Sequence, residues 1–382
     1  MADELPVENV LIVGAGLAGL SSAIALRQRG ANVTVVDNAG GAVGASIVIT
    51  HRAVYALEQL GVLDAIIELG CQIRADEPSW WTLVHNAEGQ RLPLQAPVLG
   101  EEWRLPSTVY IYRPVLADIL ADAADAAGAE VLIGPTYSSI EQDDDGVEVE
   151  LTNGERRRFD LVLAADGINS GLRARFFPEA GEPVYTGSMS FRMMFNDVPE
   201  DWLTGLHVAH GSTIVTELLP DRLFYLAAPN HMERRRVDQP EAREIVKTIL
   251  AGYDPSPMFA EASARLDEHV NVIVAPYEWI FVEPPLHRGR VVLVGDAAHA
   301  TAPTLGSAGG MAVEDAVVLA EELAGATDLD SALTSYAKRR EDRTRLVVET
   351  SATLMRTHQE RRPPGEEAAL RLSALQKLAE PY

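Results

Sequence analysis

The sequence has a single cysteine, Cys71, among 382 residues. It can form no intrachain disulfide, and a reducing compartment, the cytoplasm, is expected. It has no basic excess: the formal net charge is −24, which disfavours nucleic acid and anionic membranes as partners and favours solubility. No uninterrupted apolar run reaches transmembrane length. Met1–Glu8 is acidic and lacks the apolar core of a signal peptide. No cysteine or acidic cluster joins the nine histidines. His207 and His210 lie three apart without further ligands, so no metal is expected. There is no internal repeat and no low-complexity tail. What is present is a chain 47% hydrophobic and 23% charged, long enough for two domains, or one large one with insertions, and a sizeable core.

Asn9–Val13 is a short apolar run that reads as a strand. Leu17–Arg29 reads as a helix with Leu20, Ile24 and Ala25 on one face, stopped by Gly30. Ala31–Asp37 alternates β-branched residues as a second strand, so the chain opens as a βαβ unit. Gly44–Thr50 is a loop or short strand. Helices are expected at Ala53–Leu60 and Pro114–Ala127, and hairpins within Trp80–Leu94 and about Asn153-Gly154. From Pro183 to Pro285 the texture changes. Val184–Phe195, Thr213–Leu219, Leu223–Ala228 and Val272–Phe281 read as strands, with a helix at Pro240–Gly252. Arg290–Gly295 returns to the first pattern. A helix at Ala312–Ala324, a long charged helix at Leu329–His358, a break at Pro363-Pro364 and a final short helix follow. The expected fold class is α/β. A Rossmann-like nucleotide domain comprises residues 1–182 and 286–361, a mixed β-sheet substrate domain is inserted at 183–285, and a helical tail spans 362–382.

Three turn sites carry the chemistry. In the first, Gly14-Ala15-Gly16-Leu17-Ala18-Gly19 follows a strand and opens a helix. Gly14 permits the tight turn, Gly16 lets a pyrophosphate approach the backbone, and Gly19 lets the helix pack closely on the sheet. Asp37 ends the second strand, where its carboxylate can accept from the ribose hydroxyls of an adenosine. This motif alone does not choose NAD over FAD. The second site is the Asp166-Gly167 turn. The third is Gly295-Asp296, which ends an apolar run, with the loop that follows it through Pro303 to Gly310. That loop aims backbone N–H groups at a helix N-terminus toward the crevice. Three such sites spread along the chain point to one long ligand.

Asp166-Gly167-Ile168-Asn169-Ser170-Gly171-Leu172-Arg173 resembles the DGxxSxxR signature of single-component flavin monooxygenases, the group of 4-hydroxybenzoate hydroxylase. Gly295-Asp296-Ala297-Ala298-His299, followed by Pro303 and Gly306, is similar to the GDAAH motif of that family. Gly309–Ala316 is close to the ending seen in its urate, salicylate and zeaxanthin-epoxidase branch. Tyr112-Arg113-Pro114 is similar to its arginine-containing helix start. Two segments depart from the family pattern. In GAGIxLxPNA, Ser46 stands for a glycine and His51-Arg52 for Pro-Asn. Gly306-Ser307-Ala308 stands where Gly-Gln-Gly is usual.

The resemblance implies an FAD-binding domain and an enzyme that uses NAD(P)H and O2 to hydroxylate a small aromatic or heteroaromatic substrate, through a flavin C4a-hydroperoxide. A reductase or dehydrogenase on the same scaffold, without oxygen transfer, is the alternative. The implied cofactor-binding residues are Gly14, Ala15, Gly16, Leu17, Ala18, Gly19, Asp37, Arg113, Asp166, Gly167, Gly295, Asp296, Pro303, Gly306, Ser307, Ala308, Gly309 and Gly310. Pro303, Arg192 and Tyr225 are the candidate catalytic residues, Pro303 because its carbonyl lies close to the reacting substrate in relatives. His51 and Arg52 have either a structural role or a place near an acidic substrate.

Overall fold

The computed structural model describes residues 5–40, 44–77, 80–94, 103–209, 212–253, 256–360 and 364–382. His210 and Pro363, both singled out in the sequence, lie outside the described residues. The chain opens with β1 (Asn9–Val13), α1 (Leu17–Gln28) and β2 (Asn32–Asp37). Val10, Leu11 and Ile12 are wholly buried, because β1 lies between two parallel neighbours with helices on both faces. β3 (Ser46–Thr50), α2 (Arg52–Gln59), α3 (Leu63–Leu69) and β4 (Cys71–Ile73) follow. The Trp80–Leu94 hairpin is reduced to the short strands β5 (Val84–His85) and β6 (Arg91–Leu92). Next come β7 (Thr108–Tyr112), which pairs with β3 and β4, and α4 (Arg113–Ala126). β8 (Glu130–Ile133), β9 (Tyr137–Gln142), β10 (Val147–Leu151), β11 (Arg156–Phe159), β12 (Leu161–Ala164) and α5 (Gly171–Phe176) complete the first stretch. The predicted hairpin about Asn153-Gly154 joins β10 to β11.

The second stretch contains β13 (Val184–Phe195), β14 (Gly205–Ala209), β15 (Ser212–Leu218), β16 (Phe224–His231), α6 (Gln239–Ala251), α7 (Pro257–Ala264) and β17 (Ile273–Trp279). β14 and α7 have no counterpart in the sequence reading. These strands form a seven-stranded mixed sheet in the order β17-β13-β16-β15-β14-β5-β6. The sheet thus borrows β5 and β6 from residues 84–92, far upstream of Val184. Its two faces follow the period of two that a pleated strand imposes. Phe191, Met193 and Phe195 of β13 and Phe224 and Leu226 of β16 pack with Val246, Leu250 and Phe259 of α6 and α7. The opposite face carries Ser190 and Arg192 of β13, Glu217 of β15, Tyr225 of β16 and Tyr277 of β17, and lines a cavity.

The chain then adds β18 (His287–Arg288) and β19 (Val291–Leu293) to the first sheet, giving the order β18-β19-β12-β1-β2-β8. α8 (Asp296–His299), α9 (Ala308–Gly325), α10 (Leu329–Gln359) and α11 (Pro364–Leu378) end it. α9 begins four residues before the expected Ala312. Gly309 and Gly310 therefore belong to its first turn and not to the preceding loop. Low glycine helix propensity argued for a later start, but packing requires small residues there: a Cβ on Gly310 would sit 2.8 Å from Ala53 Cβ, and one on Gly309 would sit 2.9 Å from Ile47 Cδ1. Among the described residues, no helix is long and apolar enough to cross a membrane.

Candidate active site

One cavity of about 1100 Å³ runs beneath the seven-stranded sheet, larger than the roughly 300–1,000 Å³ usual for a single small ligand. Its walls join all three turn sites. Gly16, Leu17 and Ala18 come from the first, Gly167 from the second, and Asp296, Pro303, Gly306, Ala308 and Gly309 from the third; Arg113 and the roof residues Arg192 and Tyr225 complete it. Gly14, Ala15, Gly19, Asp37, Asp166, Gly295, Ser307 and Gly310 adjoin these turns without lining the cavity.

Gly14 adopts φ +110°, and a Cβ there would lie 2.3 Å from the Ala165 carbonyl oxygen; one on Gly19 would lie 1.8 Å from the Gly14 oxygen. By contrast, a Cβ on Gly16 would meet nothing within 4 Å, because this glycine faces the cavity. Asp37 accepts from Ala15 N–H at 2.7 Å, and also from Ala39 and Gly40. Burial raises its pKa, but these three N–H donors outweigh that and hold the carboxyl below its ordinary value. Asp37 thus ties the first turn to the segment that follows β2.

Asp166 accepts from Leu172 N–H at 3.2 Å with Oδ2, while its buried Oδ1 has no partner among the described residues. Ser170 caps α5 by accepting from Arg173 N–H at 2.9 Å. The Arg173 guanidinium donates to Ile168 O at 2.6 Å and to Ala297 O at 3.1 Å, so it stitches the second turn to the third. That role explains the arginine of the signature, and the sequence reading assigned it none.

In the third turn, a Cβ on Gly295 would lie 2.7 Å from Ala18 Cβ, which brings Asp296 close to the start of α1. Asp296 is exposed to the cavity, deep between the surrounding elements. Burial pushes its pKa up, against the pull of His299 and Arg113. Arg113 is lowered by burial and then by the neighbouring Arg192 cation, while Asp296 and Tyr225 hold it up. The Pro303 carbonyl accepts from Gly306 N–H at 2.9 Å, which leaves one lone pair. Gly306 takes the left-handed conformation at φ +58° beneath Trp81. Ser307 donates to Leu305 O at 3.0 Å. Neither α1 nor α9 has a side-chain cap or an acidic residue in its first turn, so their N-terminal N–H groups are available to an anion.

The sequence pattern of the family described as the FAD binding domain matches residues 8–351. The chain belongs to this family of FAD-dependent monooxygenases. YetM of Bacillus subtilis (strain 168), provisionally described as an FAD-dependent monooxygenase, is 30% identical over 366 residues, covering 94% of this chain and 96% of that protein. The FAD-dependent urate hydroxylase of Klebsiella pneumoniae is 28% identical over 353 residues, 89% of this chain and 88% of its own. A solved structure of a K. pneumoniae HpxO variant holding FAD matches with a TM-score of 0.77 at 25% identity, covering 98% of this chain and 95% of that one.

The geometry of this monooxygenase suits FAD on three counts: a first glycine turn in which, of Gly14, Gly16 and Gly19, only Gly16 leaves open space, an Asp166 Oδ1 with no partner among the described residues, and two uncapped helix N-termini on one cavity. His51 and Arg52 take no part in the cavity wall. His51 is buried at φ 57°, and burial with the Arg343 charge pushes its pKa down to about 4. Arg52 donates to Ala379 O at 2.8 Å and stacks over Tyr55 and Trp103. Arg52 therefore fastens α2 to the C-terminal tail, and His51 is a buried residue at the start of α2. His207 packs against the ring of His85, with centroids 4.9 Å apart. Glu217, on the cavity face of β15, is a lining residue that sequence reasoning did not single out. The available signal was an acid in phase with Thr213 and Val215 on an alternating strand.

Proposed function

We propose that this monooxygenase hydroxylates a small aromatic or heteroaromatic compound held between the seven-stranded sheet and the Pro303–Gly309 segment, with NAD(P)H and O2 as co-substrates. Residues 1–182 and 286–361 hold the cofactor, and 183–285 with the 84–92 hairpin cover the substrate. The supporting observation is the single cavity that reaches all three turn sites and the polar face of the roof. When bound, FAD carries electrons from NAD(P)H to O2, and one oxygen atom passes to the substrate.

The chain's own residues position and shield. The first turn of α1, at Gly16–Ala18, would receive the pyrophosphate, and Asp296 and Arg113 would hold the middle of the cofactor. The positive end of α9, at Ala308 and Gly309, would favour negative charge on the part of the cofactor held beside it. Arg192 and Tyr225 contact the substrate from the roof, and Pro303 from below. α11 keeps water out: Arg371 donates to Thr304 O and stacks over Trp81.

Turnover in 18O2 tests this reading. Label in the hydroxylated product supports it. Reductant consumption that releases only unlabelled product with every aromatic offered would favour the reductase alternative.

A further inference from the structure

Glu217 is 2% exposed on the cavity face of β15. The Ser46 hydroxyl of β3 is its hydrogen-bonding neighbour, yet its Oε2 has no partner among the described residues. An acid enclosed in this way is costly unless something completes it. Its strand partner across the sheet is Tyr225 of β16, and two residues along β16 Ala227 pairs with Arg192 of β13. Glu217 and Arg192 thus flank β16 on the same face. Their Cα atoms are on the order of 10 Å apart from strand spacing, and both side chains line the cavity. One ring can lie between a cation and a carboxylate there.

We infer that Glu217 is the proton-accepting residue of the substrate site, and that it selects compounds whose ring carries an N–H or O–H donor. The inference rests on the roof being the substrate surface. In the step, the donor proton passes from the substrate heteroatom to Glu217 Oε2, and the bonding electron pair stays on the substrate. No electron is gained or lost, so the step needs no oxidant or reductant. The ring becomes more electron-rich at the carbon that receives oxygen. The carboxylic acid returns the proton to the hydroxylated product or to water on release.

Burial, opposed by Ser46, pushes the Glu217 carboxyl up to about 7, which suits an acid–base group working near neutrality. The titratable groups facing it are Cys71 of β4, Tyr110 of β7 and Tyr225 of β16, with the Arg113 and Arg192 cations beyond Tyr225. Burial raises the pKa of the Cys71 thiol and of both tyrosines, so all three stay neutral where Glu217 titrates.

The test uses FAD-loaded wild type, Glu217→Gln and Glu217→Leu. Three matched probe pairs are titrated against the visible flavin spectrum at about pH 5.5 and about pH 8.5: 2-hydroxypyridine with 2-methoxypyridine, phenol with anisole, and 4-hydroxyquinoline with 4-methoxyquinoline. Wild type is expected to bind at least one donor compound about ten-fold or more tighter than its methyl ether at the higher pH, with less preference at the lower pH. Glu217→Leu is expected to lose the preference. Glu217→Gln, which keeps the shape and the flavin, is expected to lose its pH dependence and decides the matter if the leucine variant does not fold. An unchanged, pH-dependent preference in both variants overturns the role of Glu217 and leaves the roof as the substrate surface. A wild-type flavin spectrum that no member of any pair perturbs overturns both.

Discussion

His299 Nε2 lies 2.7 Å from Asp315 Oδ2, and the same carboxylate oxygen accepts from the Gly295 N–H at 2.8 Å. Asp315 is on α9, whereas Gly295 and His299 bracket the aspartate that faces the cavity. The other Asp315 oxygen takes Arg340 Nε of α10 at 2.7 Å, and Arg340 also donates to Glu314 at 2.8 Å. Arg340, Glu314 and Asp315 are wholly buried. One carboxylate therefore holds the turn before Asp296, the helix whose first turn lines the cavity and the long C-terminal helix in fixed relation. Burial raises the Asp315 pKa, but His299, Arg340 and the Gly295 N–H outweigh that and bring it down to about 2.

Asp315→Asn is expected to destabilise the protein by about 3–5 kcal/mol, because it removes one partner of a buried ionic network and leaves Arg340 incompletely compensated. Urea unfolding of the apo-protein measures this. A loss below about 1 kcal/mol would mean that the network relaxes without cost.

Gly16→Ala and Gly19→Ala separate ligand binding from packing. A Cβ on Gly19 would sit 1.8 Å from the Gly14 oxygen, whereas one on Gly16 meets nothing. Gly19→Ala is expected to unfold the first turn or cost several kcal/mol, on the order of 3. Gly16→Ala should leave apo-stability within about 1 kcal/mol, yet weaken FAD binding by about ten-fold or more, since the methyl occupies space kept for the pyrophosphate. Thermal unfolding with flavin titration checks both. Unimpaired FAD binding in Gly16→Ala would refute the assignment of the first turn.

Glu217 also predicts a pH dependence of stability. Its carboxyl lies at about 7 in the fold against an ordinary 4.5. The folded state retains a proton that the unfolded state releases, so the stabilising contribution is full below 4.5 and is lost as pH rises through 7. Glu217→Gln does not titrate. Relative to wild type, its apo-stability should rise across that window by up to ~3 kcal/mol. Denaturation curves at about pH 5 and about pH 8 test this; parallel shifts of the two proteins would contradict it.

Arg371 joins α11 to the turn beside Pro303 through Thr304 O and to Trp81 by stacking. Arg371→Met removes a charged hydrogen bond worth about 1.5–3 kcal/mol, so the population with the cavity open to water should grow by about ten-fold or more. The measurable result is a larger share of consumed reductant appearing as H2O2 during turnover. An unchanged share would show that α11 plays no part in excluding water.

The glycine turns were legible because their demands are local. A strand that must turn at once into a helix needs Gly14, and a helix that must lie against that turn needs Gly19. The start of α9 was misplaced for a related reason: propensity argued against Gly309-Gly310, while close packing on Ala53 and Ile47 required them. Arg173 stood within a readable signature, but its partner Ala297 lies 124 residues away, so nothing local announced its function.

The linear chain by itself settled the βαβ opening, the three small-residue turns, the acid at Asp37 and the alternation of the inserted strands, since each follows from backbone sterics or a two-residue period. Only the tertiary structure decided that residues 84–92 extend the roof, that Arg52 braces α2 away from the cavity, and that Glu217 stands enclosed with an oxygen that has no partner among the described residues. Burial and encounter depend on which distant segments meet a side chain, and a strand's own period distinguishes its two faces without saying what each will touch.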